Sequence, residues 1–145
     1  MAALVGVVLA LAVSLFAKLV GLDKDRAFYP TVLAVVASYY DLFAVMGGSA
    51  HVIGVELAIT VVFLLALVAG FRRSPWIIVG ALAAHGLLDL MHARVIVSPG
   101  VPDWWPAFCL AYDVTAAACL AWLVKQRSTG SPTAPVLMPA QDSLT

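Results

Sequence analysis

The chain has 145 residues, enough for one domain, and a formal net charge of zero. Hydrophobic residues make up 63% and charged residues 11%, against about 45–50% and about 25% in soluble domains. A chain this apolar lacks the polar groups to cover a water-facing surface, and one without net charge has no field to attract nucleic acid. The expected partner is therefore the lipid bilayer, with a second copy of the chain (a homo-oligomer) as the further candidate.

A helix needs about 20 apolar residues to cross a hydrocarbon core about 30 Å thick. The first run, 2–20, lacks the basic n-region and small-residue cleavage site of a signal peptide, so it reads as a retained first crossing. Further apolar runs follow at 30–47, 52–71, 76–95 and 106–124. Pro30, Pro75 and Pro106 sit where helices begin, where a missing N–H costs nothing, and Ser74 is a candidate N-cap for the fourth. Gly47, Gly48 and Ser49, and the stretch 98–102 with Pro99, Gly100 and Pro102, are turn chemistry. Aromatic residues gather near the run ends: Phe28, Tyr29, Trp76 and Trp122 toward one side, Trp104 and Trp105 toward the other. The fold class expected is all-α: a polytopic transmembrane bundle of about five helices over 1–127. The Ser/Thr/Pro/Ala-rich segment 128–145 reads as a disordered tail.

With five crossings, Lys18, Lys24, Arg26, Arg72, Arg73, Lys125 and Arg127 fall on one side and only Arg94 on the other. Basic loops stay cytoplasmic, so the expected orientation has the N-terminus out and the C-terminus in. Cys109 and Cys119 are ten residues apart in one run. That is about 15 Å along a helix, too far for a disulfide, so both read as small buried hydrophobes.

Ionisable groups inside a membrane cost several kcal/mol each and call for a reason. Asp41 lies on the second run, Glu56 on the third, His85, Asp89 and His92 on the fourth, and Asp113 on the fifth, with His51 just before the third. Counted from the outer end of each run, the four acids lie about 6–11 Å deep at 1.5 Å per residue. This common depth predicts one shared site in the outer half of the bundle. His85, Asp89 and His92 share a helical face within an arc of about 60°. Two imidazoles and a carboxylate suit Zn or Fe, and Glu56 or Asp113 from a facing helix would complete the ligand set, as in other metal sites built between helices.

The metal set expected is thus His85, Asp89, His92 and Glu56, with Asp41, Asp113 and His51 as further polar groups of the site. If the site is catalytic, the ion activates water, a spare carboxylate is the general base, and the substrate is a lipid or apolar small molecule. Two other readings stand beside this one. A proton- or cation-coupled transport component would relay charge through the same acids. A structural or accessory subunit would use these groups, with Tyr39, Tyr40 or Thr60, as hydrogen-bonded glue. A bis-histidine haem on His51 and His92 is weaker, because His51 falls in a turn. The small-residue stripe Ala34, Ala37, Ser38, Asp41 and Val45, and the pair Gly80 and Ala84, predict close helix packing.

The stretches Arg26 to Thr31, Ser38 to Asp41, His85 to Asp89 with His92, and Trp104 to Asp113 resemble an uncharacterised family of small polytopic bacterial membrane proteins. The resemblance covers most of residues 24–124. It implies a bacterial inner-membrane setting and brings no activity with it.

Overall fold

A computed structural model describes residues 1–47, 50–96 and 100–129. These form five α-helices and no strand: α1 (Ala2–Val20), α2 (Phe28–Gly47), α3 (Ala50–Arg72), α4 (Pro75–Val95) and α5 (Trp105–Thr129). All five are long and apolar enough to cross a membrane. The protein is a multi-pass helical bundle.

The helix ends follow from local chemistry. Gly21 closes α1 in the left-handed region (φ 82°), its N–H bonded to the Lys18 carbonyl. A short 3-10 turn, Leu22–Lys24, leads to α2. The Ser74 hydroxyl caps α4 by accepting from the Trp76 N–H at 3.4 Å, with Pro75 at the first helical position. Helix α5 runs five residues past the apolar stretch. There the Ser128 and Thr129 hydroxyls bond back to the Lys125 carbonyl. Apolarity marks where lipid ends, not where the helix ends. The remainder of the expected tail, 130–145, lies outside the described residues, as do residue 97 and, of the expected turns, 48, 49, 98 and 99.

Helix α4 is central, packed against α2, α3 and α5, while α1 packs along α5. The α1–α5 seam is close because Gly6 has no side chain: a Cβ there would overlap the Phe108 carbonyl. At the far end of the same seam, Lys18 Nζ sits 4.8 Å from the Trp122 ring centre. The two helices thus run parallel, as an odd number of crossings requires. The basic segments also meet at one end of the bundle. The Arg26 guanidinium donates to the Phe71 carbonyl at 3.1 Å, and Arg127 donates to the Asp23 carbonyl.

The apolar core near that end joins Tyr29, Leu33, Val36, Ile78, Ala81, Leu82, Ala116, Ala117 and Leu120. Lipid is as apolar as leucine, so this contact is held by dispersion and fit rather than by escape from water. Tyr29, expected among the aromatics near a run end, is also core: it is 6% exposed and clusters with Leu33 and Leu120. One packing expectation changes. Gly80 and Ala84 are exposed, and nothing lies within 4 Å of a Cβ built on Gly80. The close approach on α4 is at Gly86, where a Cβ would meet the Asp113 Cβ at 3.2 Å and the Leu110 carbonyl at 3.3 Å.

Candidate metal centre

Gly86 lets α4 and α5 touch, and the groups beside it meet across the contact. His85 Nδ1 lies 2.6 Å from Asp113 Oδ2 and 3.8 Å from Asp89 Oδ2. One ligand atom from each of His85, Asp89 and Asp113 falls within 4.8 Å of the others. All three side chains are buried, none more than 1% exposed. The Tyr40 hydroxyl donates to Asp89 Oδ1 at 2.6 Å. Phe63 sets its ring edge-on to His85, centroids 4.9 Å apart.

A second pair lies beside this group. His92 Nε2 is 2.6 Å from Glu56 Oε1, and both side chains are buried. The Tyr40 ring stacks on His92 with centroids 4.0 Å apart and stands 6.1 Å from the His85 ring. Tyr40 therefore separates the two imidazoles. Four helices contribute to one polar interior: α2 through Tyr40, α3 through Glu56, α4 through His85, Asp89 and His92, and α5 through Asp113.

Of the residues expected in the site, His85 and Asp89 come together with Asp113, while Glu56 and His92 form their own pair. The two imidazoles share a helical face, but they are seven residues apart, and each takes the carboxylate on the helix nearest its own level. Asp41 is half-buried and belongs to neither group; its Oδ1 has no hydrogen-bond partner among the described residues. His51 is exposed in the first turn of α3, at a shallow surface depression. The Arg94 side chain lies outside the described residues.

The packing face of α2 explains the position of Asp41. Tyr29, Pro30, Leu33, Val36, Ala37, Tyr40 and Ala44 are its buried residues. The small-residue stripe packs in part: Ala37 is buried and its carbonyl accepts from the Thr60 hydroxyl at 3.0 Å, while Ser38 and Val45 are exposed. Tyr40, expected as one of the hydrogen-bond partners, bonds Asp89 and stands between the two groups, on the buried period Leu33, Val36, Tyr40 and Ala44.

Two carboxylate oxygens in this centre, Asp89 Oδ2 and Asp113 Oδ1, are buried without a hydrogen-bond partner among the described residues. Leaving such atoms unpaired in a low-dielectric interior costs about 1–3 kcal/mol each. Fully ionised, Glu56, Asp89 and Asp113 carry three negative charges against at most two on His85 and His92. A divalent ion on two carboxylates and a neutral imidazole would be charge-balanced, and the Glu56–His92 pair balances itself.

Metal–ligand distances of about 2.0–2.2 Å put two ligands of one ion at most about 4.4 Å apart. The 4.8 Å spread thus needs a side-chain adjustment of a few tenths of an ångström. The donor set, one nitrogen and two oxygens, suits Zn, Fe or Mn. No protein-family model matches the chain, and no match was found among curated proteins or solved structures.

Proposed function

We propose that this protein is a membrane-embedded metalloprotein in which His85, Asp89 and Asp113 hold one divalent transition-metal ion. The carrying observation is the pair of orphaned carboxylate oxygens, Asp89 Oδ2 and Asp113 Oδ1, beside the His85 imidazole. Three protein ligands leave a coordination position free, which is the arrangement of catalytic rather than structural sites. The activity that fits is chemistry on a lipid or apolar molecule entering from the bilayer, with the ion as Lewis acid and Glu56, held by His92, as the nearby spare carboxylate. The setting that fits is a bacterial inner membrane. With the basic end cytoplasmic, the centre lies in the outer half of the bundle.

Metal analysis of detergent-purified protein tests this. We expect about one zinc, iron or manganese per chain. It should be lost in His85→Ala and in Asp113→Ala and kept in His92→Ala. Metal that persists in the His85→Ala/Asp113→Ala double variant, or none bound after reconstitution with each ion, would refute the assignment.

A second reading is supported by the near-continuous string Glu56, His92, Tyr40, Asp89, His85, Asp113 across the bundle. A proton-coupled carrier would use it with no metal. In that case Asp89→Asn would abolish proton-driven uptake in vesicles while the protein stays folded.

A further inference from the structure

Helix α2 packs on α3 and α4, and α1 packs on α5, so α2 stands apart from the α1–α5 pair. The gap is a groove of about 790 Å³, within the usual size range of small-molecule sites. Its walls include Val5 and Leu9 of α1, Val35 and Val36 of α2, and Phe108 and Cys109 of α5. Val5, Leu9 and Val35 are exposed, so the groove opens sideways to the bilayer. Trp104 and Trp105 stand at one end, with Tyr39 against Trp105; tryptophan side chains settle at headgroup level. At the other end Tyr29 and Leu33 join Ala116, Ala117 and Leu120 in the core and close the gap.

These boundaries say what fills the groove. Water needs two to four polar partners. The walls offer few, and the Thr31 hydroxyl is already bonded to the Ala27 carbonyl. An unfilled gap forfeits the dispersion contacts of its lining. The lining runs from Met1 to Leu9 on α1 and from Phe28 to Tyr39 on α2. At 1.5 Å per residue that is a length of about 12–16 Å, about half the thickness of a core about 30 Å thick. A transmembrane helix from a second copy would need a seam through the whole thickness. A lipid chain needs one leaflet.

The floor of the groove is buried, at Val36 (6% exposed) and Cys109 (3%). Val36 is one turn before Tyr40 and Cys109 one turn before Asp113, about 6 Å along each helix. We propose that this groove binds one hydrocarbon chain of a bilayer lipid and brings its interior carbons beside the His85–Asp89–Asp113 centre. Naming a lipid chain as the substrate class of that centre rests on the metal reading above; occupancy of the groove does not.

Photolabelling separates the two. The protein is placed in phosphatidylcholine vesicles that include phosphatidylcholine with a diazirine at mid-chain, and labelled residues are read by mass spectrometry. We expect labelling at Val36, Cys109 or Tyr112 at least tenfold above that at Val61 and Leu65, which are exposed on α3. Val35→Trp fills the groove from an exposed wall position without touching the core, and should cut floor labelling at least fivefold. His85→Ala should strip the metal and leave floor labelling unchanged. Equal labelling of the groove and of α3, or a dimer cross-linked through groove residues, would overturn the proposal. Floor labelling in a wild type without metal would keep the groove site and remove only its link to catalysis.

Discussion

Replacing Tyr40 by Phe removes one oxygen and keeps the ring, so the stack on His92 at 4.0 Å survives and no cavity opens. What is lost is the 2.6 Å hydrogen bond to Asp89 Oδ1. Asp89 Oδ2 already has no hydrogen-bond partner among the described residues, so both oxygens of a fully buried carboxyl would be bare. Hydrogen bonds between membrane helices average about 0.6 kcal/mol and reach about 1.7, while bonds to charged groups in general contribute about 1.5–3 kcal/mol. An acceptor this buried, with no alternative partner, belongs at the high end. We expect a cost of about 2 kcal/mol, roughly a thirtyfold shift in the folded-to-unfolded ratio. Reversible unfolding in detergent reads this for metal-stripped protein. Under the metal proposal, an ion bound at Asp89 would take over its charge, and the cost should fall below about 1 kcal/mol, the scale of an ordinary net hydrogen bond. A stripped Tyr40→Phe protein within about 0.5 kcal/mol of wild type would refute the reasoning, since changes that small are typical of featureless surface sites.

Gly86→Val should force α4 from α5, because a Cβ there already meets Asp113 Cβ at 3.2 Å; overpacking of this kind costs about 1–3 kcal/mol, and metal affinity should drop with it. Gly80→Val, in open space, is the control, and similar losses in both would show that the Gly86 contact does not matter. Glu56→Ala and His92→Ala should each destabilise by about 3 kcal/mol, because each strands a buried partner, whereas the double variant should cost little more than either single one. Additive losses in the unfolding cycle would mean that the 2.6 Å pair contributes no coupling. Reporters after Arg127 and at Gly100 should fall on opposite sides of the membrane, the first in the cytoplasm; detection of both on one side would refute the five-crossing path.

Much of the bundle was legible in the chain itself. Sustained apolarity over about 20 residues has one physical use, and Ser74-Pro75 announces a helix start through a cap and a dispensable N–H. Helix ends read less well, as α5 and the start of α2 at Phe28 rather than Pro30 show, because polar residues carry a helix on into water as readily as they end it. Burial was the weakest inference. A membrane helix is apolar on every side, so hydropathy does not point inward. The stripe through Asp41 is buried only at Ala37, and the rest of the buried face runs beside it through Leu33, Val36, Tyr40 and Ala44.

The sequence by itself therefore determined the number of helices able to cross a membrane and that ionisable groups lie on four of them, since both follow from counting along one chain. The common depth expected of the acids does not carry over, because Asp113 meets His85 while Glu56 meets His92 two turns further along α4. Only the tertiary structure decided which groups meet. His85 and His92 share a face of α4, yet Asp113 reaches one and Glu56 the other. The choice depends on the spacing and rotation of neighbouring helices. A missing side chain at Gly86 sets that spacing by admitting α5 to within contact of α4, and nothing in the local pattern around position 86 distinguishes it from the open Gly80.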